Sequence, residues 1–211
     1  ANSKGVAVVI FINLGYFAID APDWIEAQKD KAAGRDTAKT RWFLWSNSAD
    51  APYPPTQEDI YDTPADRKRD KAFWGWHYSE LAHSYYWSRW KANGPNGNVI
   101  PLPQMNWGDP GWRNEAAQIV RFWMDTGIDG MLVDAPLCYP NQTWTDNRRY
   151  ITGIVRSHGN VFLDPEGGRD QSWITEAGYD AIHDYGLAYT PNTRNWVGNG
   201  NVRHYVGEEV Q

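Results

Sequence analysis

Two apolar runs in this chain end in carboxylates. Met131-Leu132-Val133 runs into Asp134, and Val161-Phe162-Leu163 runs into Asp164, Pro165 and Glu166. Neighbouring strands of a sheet lie about 4.8 Å apart, and the active groups of parallel sheets and barrels gather at the carboxyl ends of their strands. If both runs are parallel strands, Asp134 and Glu166 come about 5 to 5.5 Å apart. At that separation one carboxyl attacks a sugar carbon while the other protonates the departing oxygen. A plainer reading stands beside it: Asp134 caps the next turn, and Asp164-Pro165-Glu166-Gly167 is itself a turn. Asp164 is the rival carboxylate in that stretch. Tyr16, after the first apolar run, either binds a ligand or lines a wall. His183 and Asp184 form another titratable pair, read first as part of a strand and its turn.

The elements that would carry these groups follow from periodicity. Val6 to Asn13 is a continuous, β-branched-rich run, the pattern of a strand buried on both faces. "APDWIEAQKDKAAG" predicts a short helix, with Asp20 or Asp23 able to cap it and Gly34 ending it. Residues 35 to 105 are irregular and rich in Pro, Trp, Tyr and Asp, with strand-like pieces such as "RWFLWS" and "YYWSRW" and no internal repeat. Order returns at Asp109, a good N-cap before Pro110. Ala117, Ile119, Val120, Phe122 and Trp123 then supply an apolar stripe, and Gly127 stops the helix. "IDGMLVDA" reads as a strand, "TWTDNRRYITGIVRSHG" as a helix, "NVFLDPEG" as a strand, "QSWITEAG" as a short helix and "YDAIHDYG" as a further strand. Strand and helix alternating at this spacing mark βα units with parallel strands.

Composition narrows the classes. The 211 residues are 41% hydrophobic, enough for a sizeable core. A formal net charge of −6, without a useful Lys/Arg block, argues against a nucleic-acid partner. No apolar run approaches membrane-spanning length, and the first residues lack the order of a signal peptide. Thirteen Trp against three Met and six Phe is unusual. Trp and Tyr offer flat apolar faces with a polar edge, which suits sugar rings as well as ordinary packing. The single Cys138 excludes an internal disulfide framework, and no cluster with metal-ligand spacing surrounds it.

Four segments resemble the α-amylase-type retaining glycoside hydrolases, nearest the oligosaccharide α-1,6-glucosidase branch. "GVAVVIFINLGYF" is similar to the third barrel strand, and "FWGWHYSELAHSYYWSRW" to the aromatic segment late in the inserted domain. "LPQMNWGDPGWRNEAAQIVRFWMDTGIDGMLVDAP" is similar to the Pro-Asp-Leu-Asn-Trp motif, the next helix and the nucleophile strand, and "GNVFLDPEG" to the acid/base strand. The resemblance implies an α/β fold: strands three to six of a (β/α)8 barrel, with residues 1–18 and 106–211 forming the partial barrel and 19–105 an inserted, domain-B-like region. It implies that the chain is a fragment or one part of a split protein, with the remaining strands supplied by the same or another chain. It implies a retaining hydrolase or transglycosylase acting on an oligo- or polysaccharide, extracellular or periplasmic, with Asp134 as nucleophile and Glu166 as acid/base. Asn106 and Trp107 would border the sugar, alongside Tyr16 and Asp164. His183 and Asp184 are candidates for the local role of the family's late His-Asp pair. The alternative within the resemblance is a catalytically silent, carbohydrate-binding or structural relative.

Departures from the family pattern are specific. Leu132 stands where the family has an Arg two residues before its nucleophile, and that Arg favours the charged carboxylate. Phe11, Gly15 and Tyr16 stand where it has Asp, Asn and His. Gly15 removes a frequent calcium ligand, so no cofactor is expected, with calcium the one conceivable ion.

Overall fold

The structure, a computed structural model, describes residues 4–56, 72–166 and 176–181. Two sheets organise them. The first contains β1 (Val9–Ile12), β6 (Gly130–Val133) and β7 (Phe162–Pro165), all parallel, in the order β1-β6-β7. The second is antiparallel: β2 (Trp45–Ser46), β4 (Ser84–Asn93) and β3 (Gly75–Ser79) in that order, with β5 (Val99–Pro103) paired to β4.

The parallel sheet buries one face. Ile12, Met131, Val133 and Leu163 are buried in the same apolar cluster as Ala117, Val120, Met124, Ile154 and Val155 of the helices. On the opposite face Val9, Phe11 and Phe162 are exposed, Phe11 by 59%. The expectation that the first strand is buried on both faces is therefore corrected. Among the described residues the second face is open at β1 and at Phe162 and partly covered along β6, and the first strand is four residues long.

Helix α1 (Pro22–Ala32) starts on Ala21, which makes no side-chain cap; Asp23 lies in its first turn instead of capping it. Gly34 follows with φ +66°. A short α2 (Ala38–Arg41) is capped by Thr37. Helix α3 (Pro110–Asp125) has the capping geometry its sequence predicts, with the Asp109 carboxylate accepting the Trp112 N–H at 2.8 Å. Its buried stripe is Trp112, Ala116, Ala117, Val120 and Met124, while Phe122 and Trp123 are exposed. Phe122 falls outside the arc that a 3.6-residue period turns toward the core, whereas Trp123 falls inside it, one residue before the helix's last buried position, and is nonetheless 39% exposed.

The helical stretch before β7 is continuous but uneven. α4 (Trp144–Asn147) passes through a π turn at Arg148–Thr152 into α5 (Gly153–Ser157). Of the last two expected elements, only Glu176–Ala177 are described as helical, and residues 182–186 lie outside the described residues. The two sheets share one core: Ile12, Met131 and Leu163 belong to the same cluster as Trp24, Phe43, Tyr86 and Met105.

Candidate active site

Asp134 and Glu166 each follow the last residue of a parallel strand. The ladder carries on past both strand ends: the Asp134 N–H donates to the Ile12 carbonyl at 2.9 Å, and the Glu166 N–H to the Val133 carbonyl at 2.7 Å. Strand alternation puts Leu132 and Asp134 on one face, with Asp164 and Glu166 beside them. Asp134 interacts with both neighbours: the Glu166 carboxyl beside it raises its pKa, the Tyr16 hydroxyl lowers it, and Asp134 and Glu166 in turn raise the Tyr16 phenol. Two carboxyls from adjacent strand ends thus stand together, with Tyr16 from the loop after β1 beside Asp134.

Tyr16 is held there by its neighbours. The Asn13 carboxamide accepts the Gly15 N–H at 2.8 Å and donates to the Tyr16 carbonyl at 3.1 Å. Tyr16 also bridges to Gln104 just after β5, so the second sheet sets its height. The Trp90 ring of β4 lies against it, centroids 6.0 Å apart and planes tilted by 36°. A register shift between Ser88 and Trp90 puts a bulge at that place, and bulges commonly re-aim a side chain beside a site. Trp90 reads from the sequence as core of the inserted region; a bulge leaves no mark in a Trp/Tyr-rich run by which to see it.

The electrostatics of Asp134 follow first from burial. Asp134 is 6% exposed. Its carboxyl is pushed up to about 7, first by burial, then by the hydrogen bond and charge of Glu166; the Tyr16 hydroxyl pulls the other way by donating to the ionised form. Leu132, two residues earlier on the same face, offers no charge to offset the burial. The Tyr16 phenol is raised by burial and then by Asp134 and Glu166, so it stays protonated as a donor. Two carboxyls that interact this way release their protons in steps that belong to the pair.

The other sequence candidates part company. Trp107 is fully buried, stacked on Tyr139 with centroids 5.2 Å apart and planes at 10°, and its indole N–H donates to the Leu14 carbonyl at 3.1 Å. The expectation that it faces a ligand is therefore corrected: its ring is consumed by packing beneath the strand ends. Asn106 is half-buried in a loop, where its side-chain oxygen accepts from Gly108 N–H and Asn141, each at 3.1 Å. Those bonds commit it to loop structure. Asp164 is half-buried on β7, opposite Leu132. His183 and Asp184 lie outside the described residues. Among the described residues no group of three or more His, Cys, Asp or Glu could hold a metal ion. At Gly15 an added Cβ would stand 2.5 Å from a ring carbon of Tyr139, so the space a ligating side chain would need is filled by that ring.

No family profile matches the chain. Curated relatives do. The chain is 28% identical over 149 residues to a trehalose synthase of Thermus thermophilus, covering 67% of this chain and 13% of that protein. It is 23% identical over 133 residues to an oligo-1,6-glucosidase of Parageobacillus thermoglucosidasius, covering 63% and 20%. It thus spans a fifth or less of these two relatives. In fold it superposes on an α-amylase from H. orenii with a TM-score of 0.61 at 19% identity, covering 89% of this chain and 34% of that one. No helix among the described residues is long and apolar enough to cross a membrane. By sequence the chain resembles the α-amylase-type glycoside hydrolases near the oligo-1,6-glucosidase branch, and its fold is that of part of an α-amylase.

Proposed function

We propose that this chain carries the carboxylate pair of a retaining glycoside hydrolase or transglycosylase that acts on an oligo- or polysaccharide. β1, β6 and β7 would be the third, fourth and fifth barrel strands, with residues 19–105 inserted after the third. The observation that carries the reading is the placement of Asp134 and Glu166 at adjacent parallel strand ends on one face of the sheet, close enough to shift each other's ionisation. The naming of the relatives as a glucosidase and a trehalose synthase supports it.

In the mechanism this geometry suits, an ionised Asp134 attacks the anomeric carbon. A bond forms between its oxygen and that carbon as the glycosidic bond breaks, and Glu166 gives its proton to the leaving oxygen. Water or an acceptor hydroxyl then attacks the same carbon, passing its proton to Glu166 and freeing Asp134. The Tyr16 hydroxyl does part of what a cation does elsewhere, by donating to the Asp134 carboxylate.

The test is covalent capture on the full-length protein. A fluorinated glucosyl donor, which forms the glycosyl-enzyme but hydrolyses slowly, is expected to add one sugar mass at Asp134 by peptide mass spectrometry. Glu166→Gln is expected to lower turnover of isomaltose-type substrates by roughly 10²- to 10⁴-fold. Unlabelled protein, together with no turnover of any α-glucoside tried, would overturn the reading.

A further inference from the structure

One buried group beside the site has no part in the chemistry above. Tyr139 follows the 3₁₀ turn Pro136–Cys138 that leaves Asp134, and it is 1% exposed. Its hydroxyl has one proton, and that proton goes to the Asp134 backbone carbonyl at 2.6 Å. The same oxygen accepts the Leu14 N–H at 3.2 Å. One phenol oxygen therefore joins the carboxyl ends of β1 and β6. Leu14 lies two residues before Tyr16, and the Asn13 side chain clasps the backbone between them.

The ring is as constrained as the hydroxyl. It stacks on Trp107, whose indole N–H grips the other side of Leu14 at its carbonyl. On its edge it fills the space that a Cβ at position 15 would need. The peptide it holds is an unusual one: Ala135, directly after Asp134, has φ 37° and ψ 52°, the left-handed region that non-glycine residues avoid. Such a conformation persists only where its surroundings impose it, and it clusters at active sites. The Cys138 N–H donating to the Ala135 carbonyl at 2.9 Å and the Tyr139 hydroxyl on Asp134 hold both sides of that residue. Burial raises the phenol well above its ordinary value, so it remains a neutral donor throughout the working range.

We propose that Tyr139 is a positioning residue: its hydroxyl locks the Asp134 backbone to the β1 end, and so sets the aim of the Asp134 carboxyl against Tyr16 and Glu166. This rests on the glycosidase reading above and adds to it a group that never meets the sugar.

Tyr139→Phe in the full-length protein keeps the ring and removes only the bridge. A small misaim of a reacting group costs up to about 100-fold in rate. The expectation is a kcat lowered roughly ten- to 100-fold with KM within about twofold, and a displaced pH limit on the side where Asp134 ionises. Amide exchange at Leu14 should quicken in the same variant. Gly15→Ala, which keeps the hydroxyl but pushes the ring that carries it from its seat, should move the same pH limit. An active wild type whose Tyr139→Phe variant keeps its kcat and pH profile overturns the assignment of Tyr139 alone. A wild type with neither turnover nor label at Asp134 overturns the glycosidase reading, and this proposal with it.

Discussion

Asp134 is the residue on which pH should act most visibly. Its carboxyl ordinarily ionises at 3.8 and in the fold is pushed up to about 7. Between those values the folded chain holds a proton that the unfolded chain has released. The contribution to stability is therefore complete below pH 3.8 and is lost as pH climbs through about 7. Melting temperatures taken from about pH 4 to about pH 8 should fall more steeply for the wild type than for Asp134→Asn, which cannot ionise. Equal slopes would show that burial does not hold the proton there. Activity should move in the opposite sense, because the attacking form is the anion: kcat/KM rises toward neutrality, with apparent values that belong to the Asp134–Glu166 pair and not to either carboxyl. The sequence made both carboxylates legible, since each ends a short apolar run. The approach of Tyr16 to Asp134 was not legible, because its position depends on Gln104 and on the Asn13 clasp.

At the level of elements, the most readable piece was α3, whose Asp109-Pro110 start works through one local hydrogen bond. The helix from Trp144 to Ser157 was readable as a helix, but its π turn was not. The sign of that turn is Gly153. In an ordinary helix Gly→Ala stabilises by about 1 kcal/mol. Here a Cβ on Gly153 would stand 1.9 Å from the Arg148 carbonyl oxygen, five residues back, because the wider turn brings that carbonyl alongside. Gly153→Ala is thus expected to destabilise, by about 1 to 3 kcal/mol in urea unfolding, as overpacking does. A stabilised variant would mean that the turn is an ordinary α-helical one. α1 shows the limit of local signals from the other side: two aspartates flank its start, yet Ala21 takes the cap position and Pro22 fixes the first turn.

Across the whole molecule the two sheets depend on one core. Trp24 of α1 stacks on Trp45 at 5.2 Å and meets Phe43 at 4.7 Å and Tyr86 at 5.1 Å, edge to face. Those rings belong to the same apolar cluster as the strands that aim Asp134 and Glu166. Trp24→Ala should cost about 3 to 5 kcal/mol, and fluorescence and far-ultraviolet dichroism should still report one transition. Two separated transitions would show that the sheets fold independently. The order of residue types along the chain was enough to reveal alternating strands and helices, the strand-end carboxylates and a surplus of indole rings, because each of these is written within a few neighbouring positions. Folding alone assigned the duties of those groups. It buried Trp107, brought Trp90 beside Tyr16, left Phe11 open to solvent and set the Tyr139 hydroxyl between Leu14 and Asp134. Local periodicity says which way a side chain leaves its own strand; which strand end it meets depends on register and packing between segments far apart in the chain.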